Sequence, residues 1–277
     1  MFKLCGFADE ISPDLNEQIR VGKQCGLSHF ELRGVNGINV LDFDKPLRNE
    51  IRTKLRDAGL GAVSIGSPIG KVKIDEPWEK HFDRFKIAVE LAEFFEAPFI
   101  RIFSYYPGAD GNILKHRDEV MRRMRQKLDY LQAHPDITLL HENEAKIYGE
   151  KGSECVDLMK TMNSLKFRSA FDFANFIQAG ERPLDNWPGL KPYSVHIHIK
   201  DALLDGGKVV PAGKGDGQVQ PILIDLHKSG YSGFLSLEPH LAAHGQFSGF
   251  SGPDLFKEAA DALKALCRKN NLPLAGA

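Results

Sequence analysis

Four short apolar stretches in the second half of this 277-residue sequence each end in a side chain that can bind a metal ion. They are Thr138-Leu-Leu-His-Glu142, Ser169-Ala-Phe-Asp172, Val195-His-Ile-His198 and Phe234-Leu-Ser-Leu-Glu238. Apolar runs of this length are typical of buried strands, and a barrel of parallel strands gathers their carboxyl ends around one pocket. The stretches therefore predict a barrel in which Glu142, Asp172, His198 and Glu238 face one another.

These four residues predict a metal site because a charge at the end of a buried strand is costly without a partner. Four such charges on consecutive predicted strands are hard to explain by packing. Two glutamates, one aspartate and one histidine form an oxygen-rich donor set that suits Mn²⁺, Mg²⁺, Co²⁺ or Zn²⁺. We therefore expect one divalent metal ion bound by Glu142, Asp172, His198 and Glu238, at distances of about 2.0–2.4 Å.

Strand and helix patterns alternate along the whole sequence. The predicted strands lie near 2–7, 29–33, 61–65, 99–103, 138–142, 169–173, 194–199 and 234–238. The predicted helices lie near 14–25, 46–58, 78–96, 113–133, 153–163, 184–190, 220–229 and 253–268. Eight strand-then-helix units of about 35 residues match the size of a barrel of this kind. The prediction is an α/β fold, a (β/α)₈ TIM barrel, formed as a single domain by residues 1–277.

Helix periodicity supports this assignment. From Trp78 to Phe95, large apolar residues recur at steps of three and four, which places them on one helix face. The densest basic stretch, Arg117 to Lys127, is interleaved with acidic residues and a Met/Leu stripe. We interpret it as a solvated helix face rather than a surface for nucleic acid.

The composition argues against several classes of partner. The formal net charge is −1 and the pI is about 6.8, which gives no indication of a nucleic-acid or membrane partner. No apolar run approaches the roughly 20 residues that span a bilayer. The four cysteines are widely spaced and are expected to be reduced thiols. Met1 to Glu10 resembles a first strand rather than a secretory leader, so we expect a cytoplasmic protein, with a homo-oligomer left open.

Further pocket residues are predicted from strand positions. In Val195-His-Ile-His-Ile-Lys-Asp201, alternation places His196, His198 and Lys200 on one face. His198 lies nearer the carboxyl end, so His196 is either a buried partner or a substrate contact. Arg101 interrupts an apolar strand and needs an anion, which a glutamate or a substrate oxygen would provide. Glu31 is expected either to contact substrate or to form an ion pair with Arg33.

Two glycine-containing segments complete the candidate list. Gly213-Lys-Gly-Asp-Gly217 does not have the spacing of a Walker loop, but its backbone N–H groups remain candidates for binding phosphate. Gly245 to Gly252 follows the last predicted strand and suits either a mobile cover over the site or an ordinary surface loop.

Several of these motifs together resemble a known superfamily. They are His141-Glu142-Asn143, Phe171-Asp-Phe-Ala-Asn175, Val195-His-Ile-His-Ile-Lys-Asp201, Gly213-Lys-Gly-Asp-Gly217 and Ser236-Leu-Glu-Pro239. The sequence resembles the xylose isomerase-like barrel superfamily, and within it the branch of sugar and sugar-phosphate isomerases and epimerases. The resemblance covers nearly the whole chain. Endonuclease IV shares this barrel, but its trinuclear site needs more histidines than this sequence places suitably.

The resemblance implies roles for individual residues. Glu142, Asp172, His198 and Glu238 would be the metal ligands, and Glu142 and Glu238 would also act as the acid/base pair. The sequence departs from the ketose 3-epimerases at Asn175, where those enzymes have a histidine that contacts substrate. An asparagine can hydrogen-bond a hydroxyl but cannot relay a proton, so we expect Asn175 to influence which substrate is bound.

The predicted function is divalent-metal-dependent isomerisation or epimerisation of a small carbohydrate (a ketose, keto-sugar or sugar phosphate) through an enediolate. The expected substrate-binding residues are Asn175, Lys200, Arg101, His196 and Glu31. A lyase that dehydrates a keto-inositol or keto-sugar is the first alternative, because the same intermediate could expel a β-hydroxyl. A non-catalytic sugar-binding barrel is the second alternative, and the presence of both Glu142 and Glu238 argues against it.

Overall fold

Eight parallel strands close a barrel in the computed structural model of the protein, which describes residues 1–242 and 249–275. In chain order they are β1 Lys3–Phe7, β2 His29–Leu32, β3 Gly61–Gly66, β4 Phe99–Ile102, β5 Thr138–Glu142, β6 Phe167–Asp172, β7 Ser194–Ile199 and β8 Phe234–Leu237. Each strand pairs with the next, and β8 pairs with β1, so the sheet closes on itself. The predicted (β/α)₈ barrel is confirmed, with every strand within two residues of its predicted bounds.

The described part of the chain also contains nine α-helices. They are α1 Leu15–Gln24, α2 Lys45–Asp57, α3 Trp78–Phe94, α4 Arg117–Tyr130, α5 Gly152–Met162, α6 Phe173–Gln178, α7 Pro183–Leu190, α8 Val219–Lys228 and α9 Gly252–Lys269. The eight predicted helices are present, and α6 was not predicted. Helix α6 begins directly after β6, where the Asp172 carboxylate accepts a hydrogen bond from the Asn175 backbone N–H at 2.8 Å. One side chain therefore ends a strand and caps a helix.

The buried face of α3 agrees with the predicted stripe. Phe85 and Val89 are fully buried, while Trp78 and Phe82 are partly buried against the same core. Within the described ranges, no helix combines the length and the apolar composition that a bilayer crossing requires.

The prediction for α4 is only partly right. Arg117 is half-exposed and pairs with Asp157, as a solvated face requires, but Lys127 is fully buried. The Lys127 ammonium lies over the rings of Trp78 and Tyr105, 5.1 and 4.8 Å from their centroids. Burial lowers the pKa of Lys127 well below its ordinary value. Its aliphatic stem extends the apolar stripe of the helix, and the rings take the place of water around its amine.

Loops at the carboxyl ends of the strands surround the mouth of the barrel. Two carry short hairpins, one pairing 34–35 with 38–39 after β2 and the other pairing 201–202 with 209–210 after β7. The first half of the cover predicted over 245–252 lies outside the described residues, which resume at 249. The loop after β3 is fixed against β4, because Phe103 and Tyr105 donate backbone hydrogen bonds to Ile69 and Gly70 at 2.7 and 2.9 Å.

Gly70 is required by this close contact between the β3 loop and β4. Its φ of +95° is in the region that glycine alone adopts readily, and a Cβ here would lie 1.9 Å from the Phe103 carbonyl oxygen. Gly59, after α2, also has a positive φ of +71°, but a Cβ there would have no atom within 4 Å. Both glycines have a positive φ that disfavours other residues, but only Gly70 lacks room for a side chain.

We predict that Gly70→Ala destabilises the protein by about 1–3 kcal/mol more than Gly59→Ala, because the methyl group must displace backbone as well as strain φ. Urea unfolding of both variants, followed by circular dichroism, measures the difference. Equal losses of stability in the two variants would contradict the predicted clash.

Candidate metal centre

The four predicted metal ligands converge at the carboxyl ends of their strands. Glu142 and Asp172 are the last residues of β5 and β6, His198 is the second-last residue of β7, and Glu238 directly follows β8. One ligand atom from each lies within 4.8 Å of the other three, and all four side chains are buried. The convergence predicted from the sequence is therefore present, while metal binding itself remains a prediction.

The orientation of His198 is fixed from behind by Glu31. His198 Nδ1 faces the cluster, 3.0 Å from Glu142 Oε1 and 3.3 Å from Glu238 Oε2, while Nε2 lies 3.3 Å from Glu31 Oε1. The same Glu31 oxygen lies 2.7 Å from His196 Nε2 and also accepts from the Ser236 hydroxyl. A carboxylate behind a histidine is a common means of aiming the other ring nitrogen at a metal.

Glu31 and His196 therefore do not lie on the pocket wall, as a substrate contact would require. His196 is 0% and Glu31 is 1% exposed, because both point into the barrel below His198. The histidines hold the pKa of Glu31 well below its ordinary value, although burial acts in the opposite direction. Neither residue lines the cavity in this structure, and the substrate contact predicted for them remains a prediction.

Arg101 pairs with glutamates of the cluster, which was one of the two kinds of partner predicted for it. Its Nη1 atom lies 3.1 Å from Glu142 Oε2 and 3.8 Å from Glu238 Oε1. The guanidinium carbon lies 5.0 Å and 4.7 Å from the ring centroids of Phe7 and Phe103. Arg101 therefore bridges the two glutamates between two aromatic rings, which limits its movement.

Lys200 neutralises the other side of the cluster. Its Nζ atom lies 3.0 Å from Asp172 Oδ2 and 3.5 Å from Glu238 Oε2. These carboxylates raise the pKa of Lys200 above its ordinary value even though burial opposes the charge. Lys200 is thus an ammonium group at the floor of the pocket, close to where it was predicted.

Asn175 supports the cluster from α6. Its side-chain amide donates to the Asn143 carbonyl at 2.8 Å and lies 3.4 Å from Glu142 Oε1. The Asn143 side chain in turn joins β5 to β6, donating to the Asp172 carbonyl and accepting from the Asp172 N–H, both at 3.0 Å. Asn175 therefore orients Glu142 in this structure, and its effect on substrate choice remains a prediction.

The donor atoms of the cluster fit a divalent cation. Burial, together with Glu238 and Glu142, raises the pKa of Asp172 to about 7, even with Lys200 beside it. Asp172 Oδ2 is buried and lies 3.0 Å from the Lys200 Nζ atom. Three carboxylates and one imidazole nitrogen thus meet in one buried volume, and this donor set suits a hard or borderline dication.

His198 indicates how such binding would be coupled to protons. Burial disfavours its charged form, but Glu142 and Glu31 more than offset this and raise the pKa of His198 well above its ordinary value. A histidine ligand must be neutral, so metal binding at this cluster would release the proton that His198 carries.

A cavity of about 350 Å³ lies at the mouth of the barrel beside the cluster. Sequence reasoning missed His240, which borders it, with Nε2 3.2 Å from Glu10 Oε1 and 3.4 Å from Glu238 Oε1. Burial acts against its charge, but Glu10 and Glu238 raise the pKa of His240 to about 9. His240 lies three residues after the end of β8. A search for metal-binding side chains just after strand ends would therefore have found it.

The predicted ion pair between Glu31 and Arg33 is wrong. Arg33 instead pairs with Asp9 at 2.7 Å and lies 3.4 Å from Glu238 Oε1. Two residues along a strand correspond to about 6.6 Å, so Glu31 lies at the depth of the histidines while Arg33 reaches the mouth.

The proposed phosphate loop is also wrong, because its donors are already used. The backbone N–H groups of Gly213, Gly215 and Gly217 all donate to the Asp201 carboxylate, at 2.9, 3.1 and 2.8 Å. A phosphate at this loop would have to displace a buried carboxylate from three hydrogen bonds. The glycines allow the close approach, since a Cβ at Gly215 would lie 2.4 Å from Asp201 Oδ1.

The sequence also matches a family of known proteins that has this fold. Residues 19–266 match the family described as xylose isomerase-like TIM barrel. The chain belongs to this family. The resemblance inferred from the sequence is confirmed at this level.

Two curated relatives match parts of the chain. Protein YihM of Escherichia coli (strain K12), itself uncharacterised, is 30% identical over 150 residues, which are 51% of this chain and 42% of YihM. The 3-dehydroshikimate dehydratase of Bacillus anthracis is 21% identical over 176 residues, 64% of this chain and 62% of the relative. The matched regions thus span about half of these relatives' lengths.

Solved structures extend the similarity to nearly the whole chain. A D-tagatose 3-epimerase-like protein matches with a TM-score of 0.78 and 13% identity over 98% of both chains. The 3-keto-D-glucoside 4-epimerase YcjR of E. coli has a TM-score of 0.73 and 14% identity, covering 97% of this chain and 100% of its own. A xylose isomerase-like TIM barrel protein from Mycobacterium smegmatis, in complex with magnesium, has a TM-score of 0.72 and 17% identity. The match covers 98% of this chain and 97% of that protein. At these identities the matches establish the fold alone.

We predict that Glu31→Gln lowers the affinity for Mn²⁺ by about 10- to 100-fold, because the neutral amide no longer fixes His198 with Nδ1 facing the cluster. Isothermal titration calorimetry measures the affinity, and Glu258→Gln, on the exposed face of α9, is the matched control. Unchanged Mn²⁺ affinity in folded Glu31→Gln would remove Glu31 from this supporting role.

Proposed function

We propose that the protein isomerises or epimerises a small carbohydrate that carries a carbonyl group. A divalent metal ion would be held by Glu142, Asp172, His198 and Glu238, the cluster whose donor set and convergence fit such an ion. The family membership and the epimerase-like structural neighbours support this class of reaction.

The observation that carries the proposal is the pair of glutamates in the buried cluster, of which Glu238 also borders the cavity. Lys200 and His240 outweigh burial and hold the pKa of Glu238 well below its ordinary value. His198 and Arg101 likewise outweigh burial and lower the pKa of Glu142. Both groups are therefore carboxylates at neutral pH, so each is available as a proton acceptor.

The bound cation would polarise the substrate carbonyl and so acidify the neighbouring C–H bond enough for a carboxylate of low basicity to accept its proton. One of Glu142 and Glu238 then removes the proton, leaving an enediolate on the substrate. The other returns a proton, to the opposite face of the carbon in an epimerisation. Arg101 and Lys200, which both lie near Glu238, would stabilise the negative charge that develops on the substrate oxygen.

A dehydratase is the second candidate, and the match to the 3-dehydroshikimate dehydratase favours it specifically. The same proton removal would precede loss of a β-hydroxyl, with Lys200 as the nearby acid. The two candidates differ in product, since only the dehydratase forms water and a conjugated double bond. A non-catalytic barrel has no need for a second glutamate facing the one that borders the cavity.

We predict that Glu238→Gln lowers turnover by a factor of about 10² or more while leaving the fold intact and much of the Mn²⁺ binding in place, because the amide cannot accept a proton. Incubation of ketoses, keto-inositols and keto-glycosides in D₂O with Mn²⁺, followed by NMR, measures deuterium uptake next to the carbonyl.

Glu90→Gln, on the exposed side of α3, is the control with the same change of charge. Near-normal deuterium uptake by Glu238→Gln would contradict an acid/base role for Glu238. Loss of water in place of simple exchange would assign the protein to the dehydratase alternative.

A further inference from the structure

The cationic groups that border the mouth cavity are already paired with carboxylates. The five concerned are Arg33, Lys71, Arg101, Lys200 and His240, and each lies within 3.2 Å of an acidic oxygen. Four of them face the buried cluster or its neighbours Asp9 and Glu10. Among the described residues that border this cavity, no cation is therefore available to an incoming anion without breaking an existing pair.

Lys71 and Glu144 form the outermost of these pairs. They come from the loops after β3 and β5, and Lys71 Nζ lies 2.7 Å from Glu144 Oε2. Their side chains are 28% and 21% exposed, whereas those of Arg33, Arg101 and Lys200 are at most 8% exposed, and His240, at 20%, pairs with the fully buried Glu10. A molecule entering the cavity would therefore reach this pair first.

The position of Lys71 is tightly fixed. Gly70 before it is held against β4, and the Lys71 ammonium lies 4.3 Å from the centroid of the Phe103 ring. Glu144 Oε1 accepts from the Ala145 N–H at 2.8 Å, which leaves its other oxygen toward Lys71. The pair thus presents an acceptor and a donor side by side.

The geometry points to an uncharged, polyhydroxylated substrate whose end away from the reacting carbonyl is bound by Lys71 and Glu144. This inference rests on the proposed function. A hydroxyl can donate to Glu144 and accept from Lys71 at once, and neighbouring hydroxyls of a polyol match the spacing of the pair. A phosphate or carboxylate at the same place would meet the Glu144 charge, and like charges placed together select against a ligand.

The backbone of the mouth gives no alternative anion site at its glycine loop. The N–H groups of Gly213, Gly215 and Gly217 are taken by Asp201, as described above. A phosphorylated or carboxylated substrate would therefore have to compete with a carboxylate at either place.

The test compares neutral ligands with matched anions on the protein loaded with Mn²⁺. D-fructose is paired with D-fructose 6-phosphate, and a keto-inositol is compared with 3-dehydroshikimate, which carries a carboxylate. Binding is measured by calorimetry and turnover by deuterium uptake in D₂O. We expect each neutral member to bind at least about tenfold more tightly than its anionic counterpart.

The Glu144→Gln variant tests whether the charge of Glu144 sets the preference for neutral over anionic ligands. It removes the negative charge and leaves the Lys71 ammonium unpaired, so binding of the anionic members should improve at least about tenfold relative to the neutral ones. Lys71→Met should weaken the neutral members through KM more than through kcat. Glu90→Gln, which makes the same change of charge far from the mouth, should leave the ratio unchanged.

The readouts distinguish this inference from the proposed function. Deuterium uptake on any member supports the proposed function, and no uptake on all of them contradicts it. The ratio of the affinities for neutral and anionic ligands decides the substrate class, whether or not deuterium uptake is observed. Tighter binding of the anionic members to the unaltered protein, failure of every neutral member to bind, or a ratio unaffected by Glu144→Gln would overturn the inference.

Discussion

The neutralisation of buried negative charge is the constraint on which the rest of the structure depends. Glu142, Asp172 and Glu238 end three strands within one small volume, where water cannot screen their mutual repulsion. Arg101 and Lys200 reduce that repulsion, but burial together with the two glutamates still raises the pKa of Asp172 to about 7. A divalent cation held by these carboxylates would relieve the same repulsion and take the place of the proton on His198.

The barrel provides both the convergence and the rigidity that such a site needs. Parallel pairing aligns the strands so that residues far apart in sequence, such as Ser236 and His198, are direct neighbours in register. Polar contacts across strand ends then fix the side chains: Asn143 hydrogen-bonds the Asp172 backbone, and Glu31 forms an ion pair with His198. A site built in this way needs little reorganisation when a ligand enters.

Local patterns in the sequence were enough to predict the barrel and the four converging residues, because strand ends in a closed barrel face one mouth whatever the loops do. They could not identify the partners of charged residues. The burial of Lys127 depends on rings from another helix and loop, and Asp201 is satisfied by glycines twelve to sixteen positions later. The sequence placed Glu31 on the correct strand but suggested Arg33 as a possible partner. Depth within the barrel decides which charges meet, and Glu31 lies beside His196 and His198.

The most direct test of the metal centre is diffraction at the manganese absorption edge from crystals grown with Mn²⁺. A single anomalous peak at about 2.0–2.4 Å from carboxylate oxygens of Glu142, Asp172 and Glu238 and from His198 Nδ1 is the predicted result. An ordered Mn²⁺ peak elsewhere on the protein, with the four side chains still paired only to Arg101, Lys200 and one another, would contradict the account.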